Sequence, residues 1–496
     1  MAGDRPPTEG IVVEPEVSSL VASGLPESSV SSWAAIQPRV TDDFGRDLDR
    51  YISYWEQTYR LLSALPVKSS RSDVERAAAQ TLLTAGRESR ERFLNAYTHQ
   101  LYDSLTAQRS RFVRVDRLVA AAADAFPGLV PSAARLATES NLKQGEKDGL
   151  EIDQGIFLSH VLAEPDLGVH LCHAMLLPRA ETADLAAKFQ ASGKLDLGAA
   201  RVERKGKAVL LTTANPRFLN AEDDTTIDSM ELAVDVATLD RASGVAVLRG
   251  DLAHKGKYSG RPVFGAGINL TRLYHGKIPF LWFMTRELGY VHKLLRGIAS
   301  LDSVPDDLHG RGFEKPWIAA VDTFAIGGHC QILLCMDYIL ASAGTKLTLP
   351  ARKEGIIPGL ANLRLARFTG LRIARQAIQH GLELFCESAE GRLVCDEIVA
   401  ADEMDLAIDR ICEDVLSSGQ AGLLANRRAL RVGLEPLDTF LQYCSVYARE
   451  QAYCCFSTEL ISNLEQNWNA RSRGTGRDIA SGGQGLRLNQ EEEGNE

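Results

Sequence analysis

Two glycine-bearing turns carry the clearest chemical potential in this chain: Phe264-Gly265-Ala266-Gly267-Ile268-Asn269-Leu270 and Ala325-Ile326-Gly327-Gly328-His329-Cys330-Gln331. Each follows a run that reads as a β-strand. Glycine at such turns permits backbone angles that other residues resist, and it lets main-chain N–H groups come close to a ligand. Two converging N–H donors form an oxyanion hole, which stabilises negative charge as it appears on a carbonyl oxygen. Either turn alone is also what an ordinary strand end contains. A metal centre has one candidate, His170, Cys172 and His173 in V-H-L-C-H-A-M-L-L, but a fourth ligand is missing and the stretch is apolar. That cluster reads as a core or interface helix, and no metal is expected. His329 lies inside the second turn and reads as a structural hydrogen-bond partner. The chain has no GxSxG, HExxH or P-loop pattern.

The elements that must position these turns are visible in the periodicity. Residues 1–40 are rich in Pro, Gly, Ser and Glu, which predicts a mobile arm or a strap on a neighbouring subunit. Phe44, Leu48, Tyr51, Ile52, Trp55, Tyr59 and Leu62 then recur at three- and four-residue spacing, the apolar stripe of a long helix. A second helix is predicted from Ser72, where Ser72 and Glu75 form a capping-box pair, through Phe93, Tyr97, Leu101 and Leu105. Helical patterns continue, so residues 41–200 read as an all-helical N-terminal domain. Near Lys207 the texture changes to short aliphatic runs, KAVLLTT and GVAVLRG, separated by a helical pattern across Thr226 to Ala242. PWIAAVDTFAI and DYILASAGTKLTL continue the scheme, which predicts an α/β domain over residues 201–473 with a mostly parallel sheet. Its last part, from Gly419 to Arg471, is helical, and the polar residues 474–496 read as a disordered tail.

Composition bounds the function. A chain of 496 residues, 45% apolar and 24% charged, is long enough for two or more cores, so two domains are expected. The formal net charge of -10 argues against a nucleic-acid or anionic-membrane surface, because both need a basic field. No apolar run approaches the roughly 20 residues that span a bilayer. The start, MAGDRPPTEG, lacks the basic and apolar regions of an export signal, which predicts a cytoplasmic protein whose nine cysteines are reduced and mostly in the core.

In order and spacing, N-P-R-F-L-N-A, F-G-A-G-I-N-L, E-K-P-W-I-A-A-V-D-T-F-A-I-G-G-H-C-Q and L-P-A-R-K-E-G-I-I-P-G resemble the crotonase (enoyl-CoA hydratase/isomerase) superfamily from about Lys207 to Arg471. The resemblance implies a ββα spiral core and assembly as homotrimers or hexamers. It implies an oxyanion hole made by the amides of Ile268 and Gly328, acting on a thioester carbonyl. It also implies that coenzyme A lies beside Arg217, Leu219, Ala221 and the segment from His254 to Ile268, which includes Phe264, Gly265, Ala266 and Gly267. His254, Lys255 and Lys257 would meet its phosphates, although a solvated charged loop reads the same way.

Departures from the hydratase pattern narrow the chemistry. Where a hydratase has two glutamates for general acid–base work, the aligned positions here are Gln331 and Ala351, which cannot exchange protons at neutral pH. Glu222 and Arg286 fall where the family places acyl-pocket walls, with Phe280, Trp282 and Phe283 near Arg286 in sequence. An anion, a cation and an amide suit a ring bearing hydroxyls better than a fatty tail, because buried hydroxyls need partners. Without the family, a surface salt bridge is the simpler reading of Glu222 and Arg286. The helical N-terminal domain and these motifs together are similar to the cofactor-independent 3,5-dihydroxyphenylacetyl-CoA 1,2-dioxygenases of glycopeptide antibiotic biosynthesis. That resemblance implies a CoA thioester and O₂ as substrates, with no metal or organic cofactor. A non-oxidative crotonase (hydrolase, isomerase or decarboxylase) and a CoA-binding scaffold without turnover are the alternatives.

Overall fold

The computed structural model describes residues 17–305, 312–417 and 419–473. The expected amphipathic helix runs Phe44–Ala64 and buries Tyr51, Tyr54, Trp55, Leu61 and Leu62. The next helix, Asp73–Leu105, begins with the predicted capping box: the Ser72 hydroxyl accepts from Glu75 N at 3.3 Å, and Ser72 N donates to the Glu75 carboxylate at 2.7 Å. Between them Trp55 meets Phe93 edge-on, with ring centroids 5.4 Å apart.

The expectation of a mobile arm over residues 1–40 is corrected for its described portion. Val17–Ala22 and Glu27–Ala35 are helices that bury Leu20, Val30 and Trp33. Trp33 stacks on Tyr54 at 5.5 Å and donates its indole N–H to Thr58 Oγ1 at 2.8 Å. Four apolar anchors, Leu20, Leu25, Val30 and Trp33, are enough to hold a polar, Ser-rich segment against the longer helices. Trp33→Ala is expected to cost about 3–5 kcal/mol through the cavity it leaves, read as a lowered urea midpoint. Residues 1–16 and the expected tail, 474–496, lie outside the described residues.

The sheet starts at Lys194, slightly earlier than the sequence texture suggests. Its strands are β1 (Lys194–Asp196), β2 (Ala200–Lys205), β3 (Ala208–Thr213), β4 (Val245–Gly250), β5 (Trp317–Val321), β6 (Phe324–Ile326), β7 (Tyr338–Ser342), β8 (Lys346–Thr348), β9 (Leu384–Phe385) and β10 (Glu397–Val399). Seven form the main sheet in the order β1-β2-β3-β4-β5-β7-β10, antiparallel up to β3 and parallel beyond it. The central strand β5 is buried along its whole length because both faces of the sheet are covered there. A second sheet, β6-β8-β9, stands beside it. The chain alternates between the two, β5 then β6 then the helix Gly328–Leu333, β7 then β8 then the helix Ala351–Glu354, which is a repeated ββα unit.

One continuous core extends from Leu20 to Ala470, and smaller clusters lie around Met404 and around Val263. The helices Ile152–Ala163 and Leu437–Cys455 pack along each other. Gly155 allows this, since a Cβ there would lie 2.5 Å from Ala452 Cβ and 2.7 Å from Ala448 O. Phe280–Leu288, the helix that carries Arg286, is held by both of these and by Val115–Ala125 and Pro165–Leu176. All nine cysteines are free, with only Cys454 partly exposed. Among the described residues no helix is long and apolar enough to cross a membrane.

Candidate active site

Beyond β3 the chain makes a left-handed step at Leu219 (φ 54°) and Asn220 (φ 58°), angles that a leucine rarely adopts. The Asn220 side chain fixes them: its amide donates to Asp251 O (3.0 Å) and Val263 O (2.7 Å), while its oxygen accepts from Asn215 N (3.0 Å). Glu222 follows directly and is stitched to the first glycine turn. Glu222 N donates to Gly267 O at 2.7 Å, and Asn269 N donates to Glu222 O at 2.8 Å. The first turn is stitched in turn to the second, with Ile326 N donating to Gly265 O at 3.0 Å.

Gly267 sits where the turns touch. Its φ is +76°, and a Cβ would come within 2.7 Å of Ile326 O and 3.2 Å of Gly328 N. Its N–H donates to His329 Nδ1 at 3.1 Å, so His329 has the structural role expected of it. Gly328 opens its helix, so its N–H is one of the helix's unpaired first-turn donors. Among the described residues neither Ile268 N nor Gly328 N donates to another backbone group.

Arg286 is 2% exposed and Glu222 5%, so theirs is no surface salt bridge. All five guanidinium donors of Arg286 are engaged. Nε and Nη2 reach the two Glu222 oxygens at 3.0 and 2.9 Å, and Nη2 also donates to Gly328 O at 2.8 Å. Nη1 donates to Glu287 and, at 3.2 Å, to Gln331 Oε1. Tyr290 adds a short hydrogen bond to Glu222. Arg286 thus ties Glu222 and Gln331, which are far apart in sequence, to the carbonyl side of the same peptide segment whose amide is free. Gln331 keeps 8% exposure, and its Nε2 has no partner among the described residues.

Burial alone would raise the Glu222 carboxyl, but Arg286, His329 and Tyr290 more than reverse this and hold it below the ordinary range. At Glu287 burial prevails over Arg286 and Arg364, and the carboxyl is raised. Burial pushes the Tyr290 hydroxyl well up, so it remains a donor. Burial lowers His329 from 6.5 to about 4, and the neutral ring can therefore accept from Gly267 N. Between those two values the unfolded chain binds a proton that the folded chain does not, so this group's contribution to stability falls as the pH is lowered through the window. Urea midpoints from pH 7 to pH 4 should fall more steeply for the native protein than for His329→Gln.

Several of the remaining sequence-predicted residues contact the first turn or the segment that leads to it. Ala266 N donates to Leu219 O at 3.0 Å, and both residues pack with Tyr258 around Val263 and Phe324. Ala221 and Phe264 are buried, and Phe264 meets the His329 ring edge-on. His254, Lys255 and Lys257 are exposed on the loop after β4, tied to the Arg217 segment by His254 N donating to Pro216 O at 3.3 Å. Phe280 turns away from this group, its ring tip lying 3.4 Å from where a Cβ on Gly155 would be. Trp282 and Phe283 are buried against each other. His170 bonds Tyr102 OH (2.8 Å) and Arg109 O (3.0 Å) in the core, which matches its reading as a packed helix residue. Sequence reasoning missed Glu287 and Tyr290; the available signal was R-E-L-G-Y, which sets both within one turn of Arg286.

The profile described as Enoyl-CoA hydratase/isomerase matches residues 203–440. A (3,5-dihydroxyphenyl)acetyl-CoA 1,2-dioxygenase from Amycolatopsis orientalis is 44% identical over 405 residues, covering 82% of this chain and 92% of that protein. The chain belongs to the crotonase family. A short-chain-enoyl-CoA hydratase from Clostridium acetobutylicum is 25% identical over 268 residues, covering 53% of this chain and 92% of that one. A solved enoyl-CoA hydratase/isomerase from Xanthobacter autotrophicus Py2 is 19% identical, covers 56% of this chain and 96% of its own, and superposes with a TM-score of 0.44. The stretch shared with the dioxygenase is longer than the α/β part of this chain, so that likeness extends into the helical N-terminal part of this crotonase.

Proposed function

We propose that this crotonase is a cofactor-independent dioxygenase that converts 3,5-dihydroxyphenylacetyl-CoA and O₂ to 3,5-dihydroxyphenylglyoxylate and free CoA. The observation that carries the reading is the buried Glu222–Arg286–Gln331 cluster beside two free amides, with Gln331 at the position of one hydratase acid–base glutamate. The likeness to the Amycolatopsis enzyme supports the choice of substrate. The amides of Ile268 and Gly328 polarise the thioester carbonyl, which acidifies an already activated benzylic proton. The enolate gives one electron to O₂, and radical recombination leaves a peroxide on the α-carbon. Its terminal oxygen attacks the thioester carbonyl and expels the CoA thiolate. The cyclic peroxide then loses the second α-proton as its O–O bond breaks, leaving the α-keto acid with both atoms of O₂.

In this reading no metal or flavin takes part, because the substrate carbanion itself reduces O₂. Gln331 Nε2 and the Glu222 carboxylate meet the ring hydroxyls, and Arg286 acts on the ring through the two groups it holds. Arg217, Leu219, Ala221 and the 254–268 segment hold CoA, with His254, Lys255 and Lys257 at its phosphates. The working assembly is a homotrimer or hexamer in the cytoplasm, and the keto acid supplies the dihydroxyphenylglycine unit of a glycopeptide antibiotic.

The test is oxygen uptake by metal-stripped protein given the thioester, with thiol and keto acid followed together. Equal O₂ loss, thiol and keto acid, with two ¹⁸O atoms entering the acid from ¹⁸O₂, is expected. Thiol without O₂ loss would replace the reading with a hydrolase, and binding without turnover would replace it with a scaffold. Lys255→Ala with Lys257→Ala should raise KM about tenfold at low salt and less at high salt, leaving kcat nearly unchanged, because exposed charges are screened.

A further inference from the structure

Beside the Glu222–Arg286–Gln331 cluster lies a buried carboxyl for which the chemistry above has no use. Glu287 is 2% exposed, receives one N–H from Arg286 Nη1, and its Oε2 has no hydrogen-bond partner among the described residues. The other cation near it, Arg364, directs Nε and Nη2 to the two oxygens of Glu435 at 2.8 Å and Nη1 to Cys335. The other titratable groups that face Glu287 are Glu222, Tyr290, Cys335 and, on the helix Leu437–Cys455, Tyr443, Cys444 and Tyr447. Glu287 therefore shares a cation already bound to Glu222 and has none of its own.

Glu287 and Gln331 meet at Gly359. A Cβ there would lie 2.5 Å from Gln331 Oε1 and 2.6 Å from Glu287 Oε1, and its φ is +38°. Arg286 Nη1 donates to both oxygens. The amide of Gln331 has two possible orientations, and its neighbours decide between them. Arg286 can only donate, so it selects the amide oxygen. An ionised Glu287 can only accept, so it would draw the amide NH₂ toward itself and turn the oxygen to the pocket. A neutral Glu287 removes that pull and spares Arg286 a second buried charge to balance.

We propose that Glu287 is a positioning residue held as the neutral acid, which with Arg286 keeps Gln331 oriented so that its Nε2 donor faces the acyl pocket. The protonation state stands on the geometry alone, while the effect on turnover rests on the arylacetyl-CoA reading. At this carboxyl burial outweighs Arg286 and Arg364, which shifts its proton equilibrium toward the neutral form.

Two measurements on the full-length protein test this separately. In the infrared difference spectrum of ligand-free native protein minus Glu287→Gln at pH 7, a protonated-carboxyl C=O band is expected. A carboxylate band in its place overturns the proposal whatever the enzyme does. In turnover, Glu287→Gln should retain kcat within about threefold and Glu287→Ala should lose about tenfold or more. The alkaline fall in native kcat caused by Glu287 ionisation should be missing in Glu287→Gln. Equal losses in both variants, or an alkaline limb that persists in Glu287→Gln, overturn the positioning role. A native enzyme that consumes no O₂ rejects the dioxygenase reading and leaves the infrared result standing.

Discussion

Arg286→Met is expected to lower stability by about 3–5 kcal/mol at pH 7 and turnover by more than about a hundredfold. The side chain holds the Glu222 carboxylate, the Glu287 carboxyl group, one amide oxygen and one main-chain carbonyl within the protein, and methionine replaces none of these bonds. The cost has a pH signature. In the native protein Glu222 is held below its ordinary range, so its contribution is present above 4.5 and disappears as the pH falls through the lowered value. Without Arg286, burial leaves the Glu222 carboxyl raised, and protonation relieves an unpaired charge. The variant's deficit should therefore shrink on going from pH 7 to pH 5. Equal deficits in urea melts at the two pH values would reject the account. Arg286→Lys keeps the charge but not the planar fork, and should lower kcat far more than it weakens CoA binding.

Gly267→Ala should lower kcat by about 100- to 1000-fold, the scale of losing one oxyanion-hole donor, while circular dichroism stays native-like. The methyl group would enter the contact between the two turns, meeting Ile326 O and crowding Gly328 N. It must move one free amide relative to the other. Gly381→Ala is the control, since Gly381 has a similar φ of +74° with nothing within 4 Å of a Cβ. It carries the backbone strain, roughly 1 kcal/mol, without the collision. Equal kcat losses in the two variants would show that strain rather than amide displacement governs the first.

Periodicity made most of the fold legible. The stripe from Phe44 to Leu62 and the Ser72–Glu75 pair are local signals, and they became the helices Phe44–Ala64 and Asp73–Leu105. The aliphatic runs became β3, β4, β5 and β7 because a sheet covered on both faces leaves an unbroken apolar signature. The helices at Val17–Ala22 and Glu27–Ala35 were not legible, since their burial depends on partners such as Tyr54 and Thr58 rather than on an apolar stripe of their own. At the site, family motifs brought out Glu222, Arg286 and Gln331, which no local pattern links. Glu287 and Tyr290 escaped because R-E-L-G-Y shows only that they lie near Arg286, while their charge sharing with it depends on the three-dimensional packing.

The grip on the helix Phe280–Leu288 bears on how such an enzyme could arise or be rebuilt. Helices from before the sheet and from the end of the chain both hold it, and one core joins them all. A chimera joined near the start of the sheet would bring the two glycine turns intact but set Arg286 on a helix stripped of its three N-terminal supports. The unit that must be inherited, swapped or evolved together is therefore the helical half with the sheet half, and a change in the outer helices can reach Arg286 without any change at the two glycine turns.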